Sequence, residues 1–212
     1  MNGPAHLSWL NQIRLEHSAA QAASATDLAA VLFTLDRRDR LDARIGAIAA
    51  QDQWAPVVTR LMCLRVVSTL TAFGLAVEIG DWHRFTGRSL AAYVGLVPAE
   101  HSSGTSRAQG SITRTGNGHA RRLLVEAAWH HKKTYRNPSV IMRNRWVNAS
   151  PAAAARGHAG NRRLHSRWEC FEARAKRASV ANVAIARELA GWCWSLATLK
   201  HTPRPEVNFR AG

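Results

Sequence analysis

Residues 70–129 read LTAFGLAVEIGDWHRFTGRSLAAYVGLVPAEHSSGTSRAQGSITRTGNGHARRLLVEAAW. The first part is apolar and broken into short runs. Leu70, Phe73, Leu75, Val77, Ile79, Leu90, Tyr93, Val94 and Leu96 supply a core, joined from upstream by Leu61 and Leu64. Gly74, Gly80, Gly87 and Gly95 punctuate them, so residues 57–95 are expected to form short helices joined by tight turns. The composition changes over 97–117, which is rich in Ser, Thr and Gly and holds one acid, Glu100. A loop of this length inside a domain is uncommon and is more often functional than decorative. Gly116 and Asn117 close it with a helix-start signal. The following helix sends Leu123, Leu124, Ala127 and Ala128 toward a core, and Arg121, Arg122, Lys132 and Lys133 toward solvent or a ligand.

Upstream, Leu28, Val31, Leu32 and Leu35 form one apolar stripe, and Leu41, Ile45 and Ile48 another. The charges between them alternate in sign (DRRDRLDAR, 36–44). An apolar seam with mixed outer charges predicts a coiled-coil-like helix over 25–55, the other reading being an amphipathic helix packed on its own domain. Residues 1–24 have no strong period and read as a weakly ordered lead-in. Pro56 breaks the long helix or begins a new one. Residues 56–147 form the main domain. NASPAAAARGHAG (148–160) reads as a linker. Leu164, Trp168, Phe171 and Ala175 then keep helical spacing, so 161–200 are expected to be helices packed on the domain, with 201–212 as a tail. Little strand pattern occurs anywhere. The expected fold class is mainly α: a coiled-coil-like helix, then a compact helix-hairpin-helix-like domain with a Ser/Gly-rich loop.

The 212 residues carry 29 Lys and Arg against 14 Asp and Glu, a formal net charge of +15, and 46% of them are hydrophobic. That is enough apolar matter for a core, and the charge favours a polyanionic partner over a small acidic metabolite. Between Arg84 and Arg145 stand eleven Lys and Arg and only two acids, Glu100 and Glu126. Arginine's forked donor suits phosphate. Cys63, Cys170 and Cys193 are far apart, so neither a disulfide framework nor a cysteine zinc site is expected. The N-terminus has no basic run leading into a long apolar stretch, so no secretory signal is expected. The apolar segment 180–199 carries Arg187 and Glu188 at its centre and reads as a buried helix, not a membrane span.

The Ser-Gly loop supports two readings. It could grip a phosphate with a flexible backbone. Alternatively, Ser102 or Ser103, beside Gly104, could attack a phosphodiester, with nearby cations offsetting the developing charge. No P-loop or dinucleotide fingerprint is present. The adjacent His130 and His131 point to different helix faces and cannot form an i, i+4 metal pair, so both read as surface or DNA-facing residues. Trp192 and Trp194 read as core, Asp81 as a turn cap, and Arg187 with Glu188 as a polar pair.

Taken together, EIGD at 78–81, Arg84-Phe85, LAAYVGLVP at 90–98, SSG at 102–104, G-x-I-T-R-x-GN at 110–117 and Arg121-Arg122-Leu123-Leu124 resemble the C-terminal transposase domain of the insertion-sequence 110/116/902 family. The segment 162–197 looks like the end of such proteins, so the resemblance spans about residues 55–200. It implies a DNA transposase or recombinase that cuts and rejoins strands with a serine nucleophile. That serine falls on Ser103, with Ser102 as the second candidate. Arg107, Arg114, Arg121, Arg122, Lys132 and Lys133 are then the phosphate-binding set. The resemblance also implies a prokaryotic, nucleoid-associated cytoplasmic protein, a structured guide RNA, and homo-oligomers assembled by the coiled coil. It further implies a separate RuvC-like half whose carboxylates hold magnesium.

This chain departs from that pattern in two places. Its early acids (Glu16, Asp27, Asp36, Asp39, Asp42 and Asp52) are spread along helical sequence, so the RuvC-like half and its magnesium site are expected to be missing. No metal or other cofactor is expected in the chain itself. The chain then looks like a truncated or split transposase that is inactive alone. The alternative is a remnant that binds nucleic acid, oligomerises and regulates full-length transposase. Secondly, Arg65-Val66-Val67-Ser68 stands where the family has a glycine-containing hairpin turn. Losing glycine there disfavours a positive-φ turn and weakens a helix-hairpin-helix grip on phosphate.

Overall fold

The computed structural model describes residues 4–103 and 106–199, with backbone alone across 100–109. These residues form α1 (Pro4–Gln12), α2 (Ser18–Ala49), α3 (Ala55–Leu61), α4 (Thr69–Ile79) and α5 (Gly87–Tyr93). A hairpin of β1 (Pro98–Ser103) and β2 (Ser106–Ile112) comes next. α6 (Gly118–Trp129), α7 (Val140–Trp146), α8 (Pro151–Ala173) and α9 (Ala178–Ala197) complete the order. The fold is mainly α, as expected. The chain divides into two compact units between Ala47 and Ile48. No helix among the described residues is long and apolar enough to cross a membrane.

In the first unit, helix already covers 18–24, which reads as weakly ordered in sequence. This Ser/Ala-rich run has no apolar period but good intrinsic helix propensity. The charged middle of α2 is exposed and pairs locally, Arg40 with Asp36 at 2.5 Å and Arg38 with Asp39 at 2.6 Å. Phe33 and Leu41 are exposed.

In the second unit, α9 is the hub, packed by α3, α5, α6 and α8. Ala181, Ile185, Ala186, Leu189, Ala190, Cys193 and Leu196 are all buried. Arg60 of α3 closes the C-terminal end of α9, donating to the carbonyls of Ala197 (2.9 Å) and Leu199 (3.1 Å), as cations do at the negative end of a helix. Pro56 begins α3. The helical spacing in α8 holds for Leu164, Trp168 and Phe171, which are buried, and the Trp168 indole donates to Ala128 O at 3.2 Å, whereas Ala175, expected on the same stripe, lies past the helix end, exposed at φ 49°. Trp192 and Trp194 are half-buried against the core.

Several further expectations need correcting. The expected linker 148–160 contains the start of α8. Ser150 caps the helix, accepting from Ala153 N at 3.2 Å, Pro151 opens it, and four alanines extend it. The Ser/Gly-rich stretch is largely a two-stranded hairpin instead of a loop, with an irregularity between Pro98 and Glu100 that sets Gly110 and Ser111 opposite one residue. Its polar residues show no apolar alternation, so sequence gave no strand signal. Leu70 and Val77, expected in the core, lie on the exposed side of α4. Glu188 pairs with Arg163 of α8 at 2.9 Å instead of with Arg187, because i, i+1 side chains on a helix diverge.

α8 approaches the turn after α3 so closely that a Cβ on Gly157 would lie 2.5 Å from Cys63 Cβ and 2.6 Å from its carbonyl oxygen. Gly157→Ala should therefore lower stability by roughly 1–3 kcal/mol despite alanine's better helix propensity. A urea midpoint equal to or above that of the parent would show that the two elements are not in contact.

Candidate nucleic-acid interface

The hairpin leaves the domain from a firmly tied root. Below it, Thr113 N donates to Val97 O at 2.9 Å, Arg114 N to Gly95 O at 3.2 Å, and Asn117 N to Tyr93 O at 3.2 Å. Gly116 makes the last turn at φ +73°, and any Cβ there would collide with the Tyr93 carbonyl. Asn117 caps α6, its Oδ1 accepting from Ala120 N at 2.9 Å. Its amide donates to the Glu78 carboxylate at 2.7 Å, and the His119 ring meets the same carboxylate at 2.6 Å. The hydrogen bond from Asn117, then that from His119, hold the Glu78 carboxyl below the usual carboxylate range. Asp81, in the same EIGD motif, caps the short turn Trp82–Arg84 by accepting from His83 N at 2.8 Å. EIGD thus fastens two turns beneath the hairpin.

Ser102 and Ser103 are the last two residues of β1. Ser102 sits opposite Arg107, and Ser103 opposite Ser106. Gly104 and Thr105, which join the strands, lie outside the described residues, as does the tail 201–212. Arg114 is exposed at φ 56° beside the root. Arg121 is engaged structurally: one guanidinium nitrogen donates to Val94 O and to Thr115 O, each at 3.0 Å. Arg122 is exposed and faces Glu126 at 3.8 Å. Lys132 pairs with Glu172 at 3.4 Å, and Lys133 is exposed. Eleven residues of helical rise put Arg121 and Lys132 roughly 16 Å apart. These cations therefore form two groups, Arg114, Arg121 and Arg122 at the hairpin root and Lys132 and Lys133 at the far end of α6, while Arg107 sits on β2 opposite Ser102, away from the root.

Beside that far end lies the turn between α3 and α4. Val66 adopts φ 64°, a left-handed conformation that is an outlier for a β-branched residue. So the positive-φ turn survives the loss of glycine, at a cost in strain. Asn161 of α8, fully buried, holds it in place. Its Oδ1 accepts from Arg65 N at 2.8 Å, and its amide donates to Cys63 O at 3.1 Å. The Arg65 side chain donates to Lys133 O at 2.6 Å. Burial lowers its basicity.

His131 is fully buried, which corrects its assignment to the surface. Both ring nitrogens lack a hydrogen-bond partner among the described residues. Desolvation, with Arg65, His130 and His165 nearby, pushes its pKa down to about 3. The spacing Leu124, Ala127/Ala128, His131 continues the buried stripe of α6 and is the signal that would have found it. Asn161, the first residue of the segment expected to be helical, had no such signal, because a buried asparagine falls outside any apolar stripe. Among the described residues no three His, Cys, Asp or Glu side chains gather as a metal site. The acids of α2 are separated or paired with arginine and do not fit a magnesium centre.

Residues 58–141 match the family model described as Transposase IS116/IS110/IS902 family. The chain is 34% identical to "Putative transposase y4qE" of Sinorhizobium fredii over 196 residues, which are 91% of this chain and 46% of that protein. It is 29% identical to "Probable family 20 transposase" of Pseudomonas aeruginosa over 176 residues, 80% of this chain and 45% of that protein. A 70-residue segment, 32% of this chain and 19% of the relative, is 39% identical to the transposase for insertion sequence element IS1111A of Coxiella burnetii. The chain spans about half the length of the first two relatives.

Two predictions follow from the geometry around α6. Unfolded His131 takes up a proton near 6.5 and folded His131 only near 3. Stability should thus be full above about pH 6.5 and fall as pH drops through that window, by up to about 1.4 kcal/mol per pH unit. His131→Leu should flatten this slope while costing less than about 1.5 kcal/mol at pH 7; equal acid slopes in urea titrations would contradict it. Val66→Gly should raise the urea midpoint by an amount worth roughly 0.5–1 kcal/mol, relieved strain outweighing backbone entropy. A lowered midpoint would contradict that expectation.

Proposed function

Because the chain belongs to the IS116/IS110/IS902 transposase family, we propose that it contributes the serine nucleophile of DNA strand cleavage and rejoining in an insertion sequence. Ser103 attacks the phosphorus of a DNA strand. A phosphoserine ester forms, and the displaced deoxyribose oxygen leaves as a hydroxyl, taking up in net terms the proton that serine sheds. Rejoining is the reverse attack by a strand hydroxyl, which restores the serine. The exchange of one phosphoester for another is nearly isoenergetic and needs no oxidant or reductant. What it needs is a positioned hydroxyl and cations for the charged phosphorane.

The observation that carries this reading is the placement of Ser102 and Ser103 at the end of a strand whose root is fixed by Gly116, Asn117 and Glu78. Arg107 lies opposite on β2, and Arg114 lies at the root. Ser102 is the second candidate for the nucleophile. Arg122, Lys132 and Lys133 hold phosphates further along the duplex, and Arg121 holds the hairpin root as well as adding charge. In this reading the partners are DNA, a structured guide RNA, and further copies of the chain joined through the coiled coil of α2, at the prokaryotic nucleoid. The exposed Phe33 and Leu41 of α2 favour a second reading, in which the chain binds nucleic acid and self-associates without cutting.

The test traps a covalent adduct on a labelled duplex carrying the element's ends, with the element's RNA supplied. Ser103→Ala should abolish the adduct, a loss of at least about 10³-fold, and Ser102→Ala should keep it. An undiminished adduct in Ser103→Ala rules that serine out. Salt-sensitive binding with no adduct from the unaltered chain supports the second reading.

A further inference from the structure

α7, VIMRNRW, turns apolar side chains to solvent. Ile141 is 66% exposed and Val140 61%, whereas Met142 beside them is buried. Single exposed aliphatics are ordinary on a protein surface; here the surroundings distinguish them. From Ala127 to Trp168 the chain has no Asp or Glu and nine Lys and Arg. Among the described residues no carboxylate pairs with Arg136, Arg143 or Arg145. Asn144 and Asn148 are exposed on the same short stretch.

The shape is that of a ridge. Ile141 and Arg145 line both of two adjacent grooves. One, of about 590 Å³, carries Arg65, Ser68, His130 and Ser139. The other, of about 450 Å³, carries Thr59, Asn144 and Asn148. Glu126, the one acid in the first groove, faces Arg122. An apolar crest between two grooves of mixed lining, with Arg65 in the wall of one and Arg145 bordering both, complements a minor groove about 6 Å wide bordered by two phosphate strands. Proteins that enter that groove combine Arg and Asn with an aliphatic wedge that unstacks a base step. A protein partner would have to offer acids on both sides of an apolar socket, and nothing in α7 beyond Ile141 and Val140 would fill one.

We propose that α7 enters the minor groove of duplex DNA and that Ile141 wedges between adjacent base pairs. Arg143 and Arg145 bind the flanking phosphates, and Asn144 meets the base edges. This inference rests on the DNA-binding reading above but not on the serine chemistry.

The test uses the full chain and a duplex of about 30 base pairs with 2-aminopurine at a central TA step, where unstacking is easiest, and a dye at each end. The unaltered chain should raise both 2-aminopurine fluorescence and end-to-end energy transfer. Ile141→Ala, at an exposed site that leaves the fold intact, should lose most of both signals, and Ile141→Phe should keep them. Arg143→Ala and Arg145→Ala should each weaken binding and lower the log–log salt slope by about one. Unchanged signals in Ile141→Ala, no rise with the unaltered chain, or a rise on duplex RNA but not on DNA would each overturn the wedge. Such a failure with the Ser103 adduct intact leaves the proposed function standing, whereas no duplex binding even at low salt removes both.

Discussion

Burial of α9 on nearly every side is the constraint from which the second unit follows. Between Ala181 and Ala197 only Arg187 is exposed. A helix that is apolar around its circumference must be wrapped. α3, α5, α6 and α8 do the wrapping, so four short or unremarkable helices acquire fixed positions from one partner. Small residues allow the close approach: Gly191 of α9 lies against Gly87 of α5, and Gly160 of α8 against Trp192. The buried polar groups are mostly satisfied between helices, as where the Asn182 amide donates to Val125 O at 2.9 Å. Each such bond adds direction to an otherwise non-directional packing force.

Once α5 and α6 are docked on α9, the polypeptide between them has to leave and return at nearly the same place. Two positive-φ glycines, Gly95 and Gly116, make the corners. Glu78 and Arg121 then fasten the crossing, one through Asn117 and the other through the Val94 and Thr115 carbonyls. The hairpin bearing the candidate serine is thus a long excursion on a rigid base. That arrangement suits chemistry on a large substrate: the base sets the position, and the strands reach outward.

The electrostatic character has two components that sequence alone merges. Some cations are spent internally. Arg60 caps α9, Arg121 ties the hairpin root, and Arg163 meets Glu188. Others, around α7 and at Lys133, keep their charge at the surface. Near them lie two unusual features, a strained Val66 turn and a buried His131 whose ring nitrogens have no hydrogen-bond partner among the described residues. Both reduce stability in isolation, and strain of this kind persists only where surrounding structure over-determines it. Asn161, bonded to Cys63 O and Arg65 N just before Val66, provides that restraint.

How much of this was legible in the residues differs from element to element. Apolar spacing was enough to mark α6 and the C-terminal half of α8, because one-sided burial writes a 3.6-residue period, and Asn117 declared the start of α6 because an orphan N–H needs an oxygen. The EIGD, SSG and GN motifs sufficed to place the family and the candidate serine. Pairing of polar strands left no such trace, since ladder bonds between backbones do not depend on side-chain type. Nor could spacing say that Gly157 and Asn161 lie against the α3–α4 turn, or that His131 faces inward. What the linear order determined was helical class, positive charge and the family. Tertiary structure alone decided which cations remain free and which residues meet, because contacts between positions about a hundred residues apart arise only when several helices share one core.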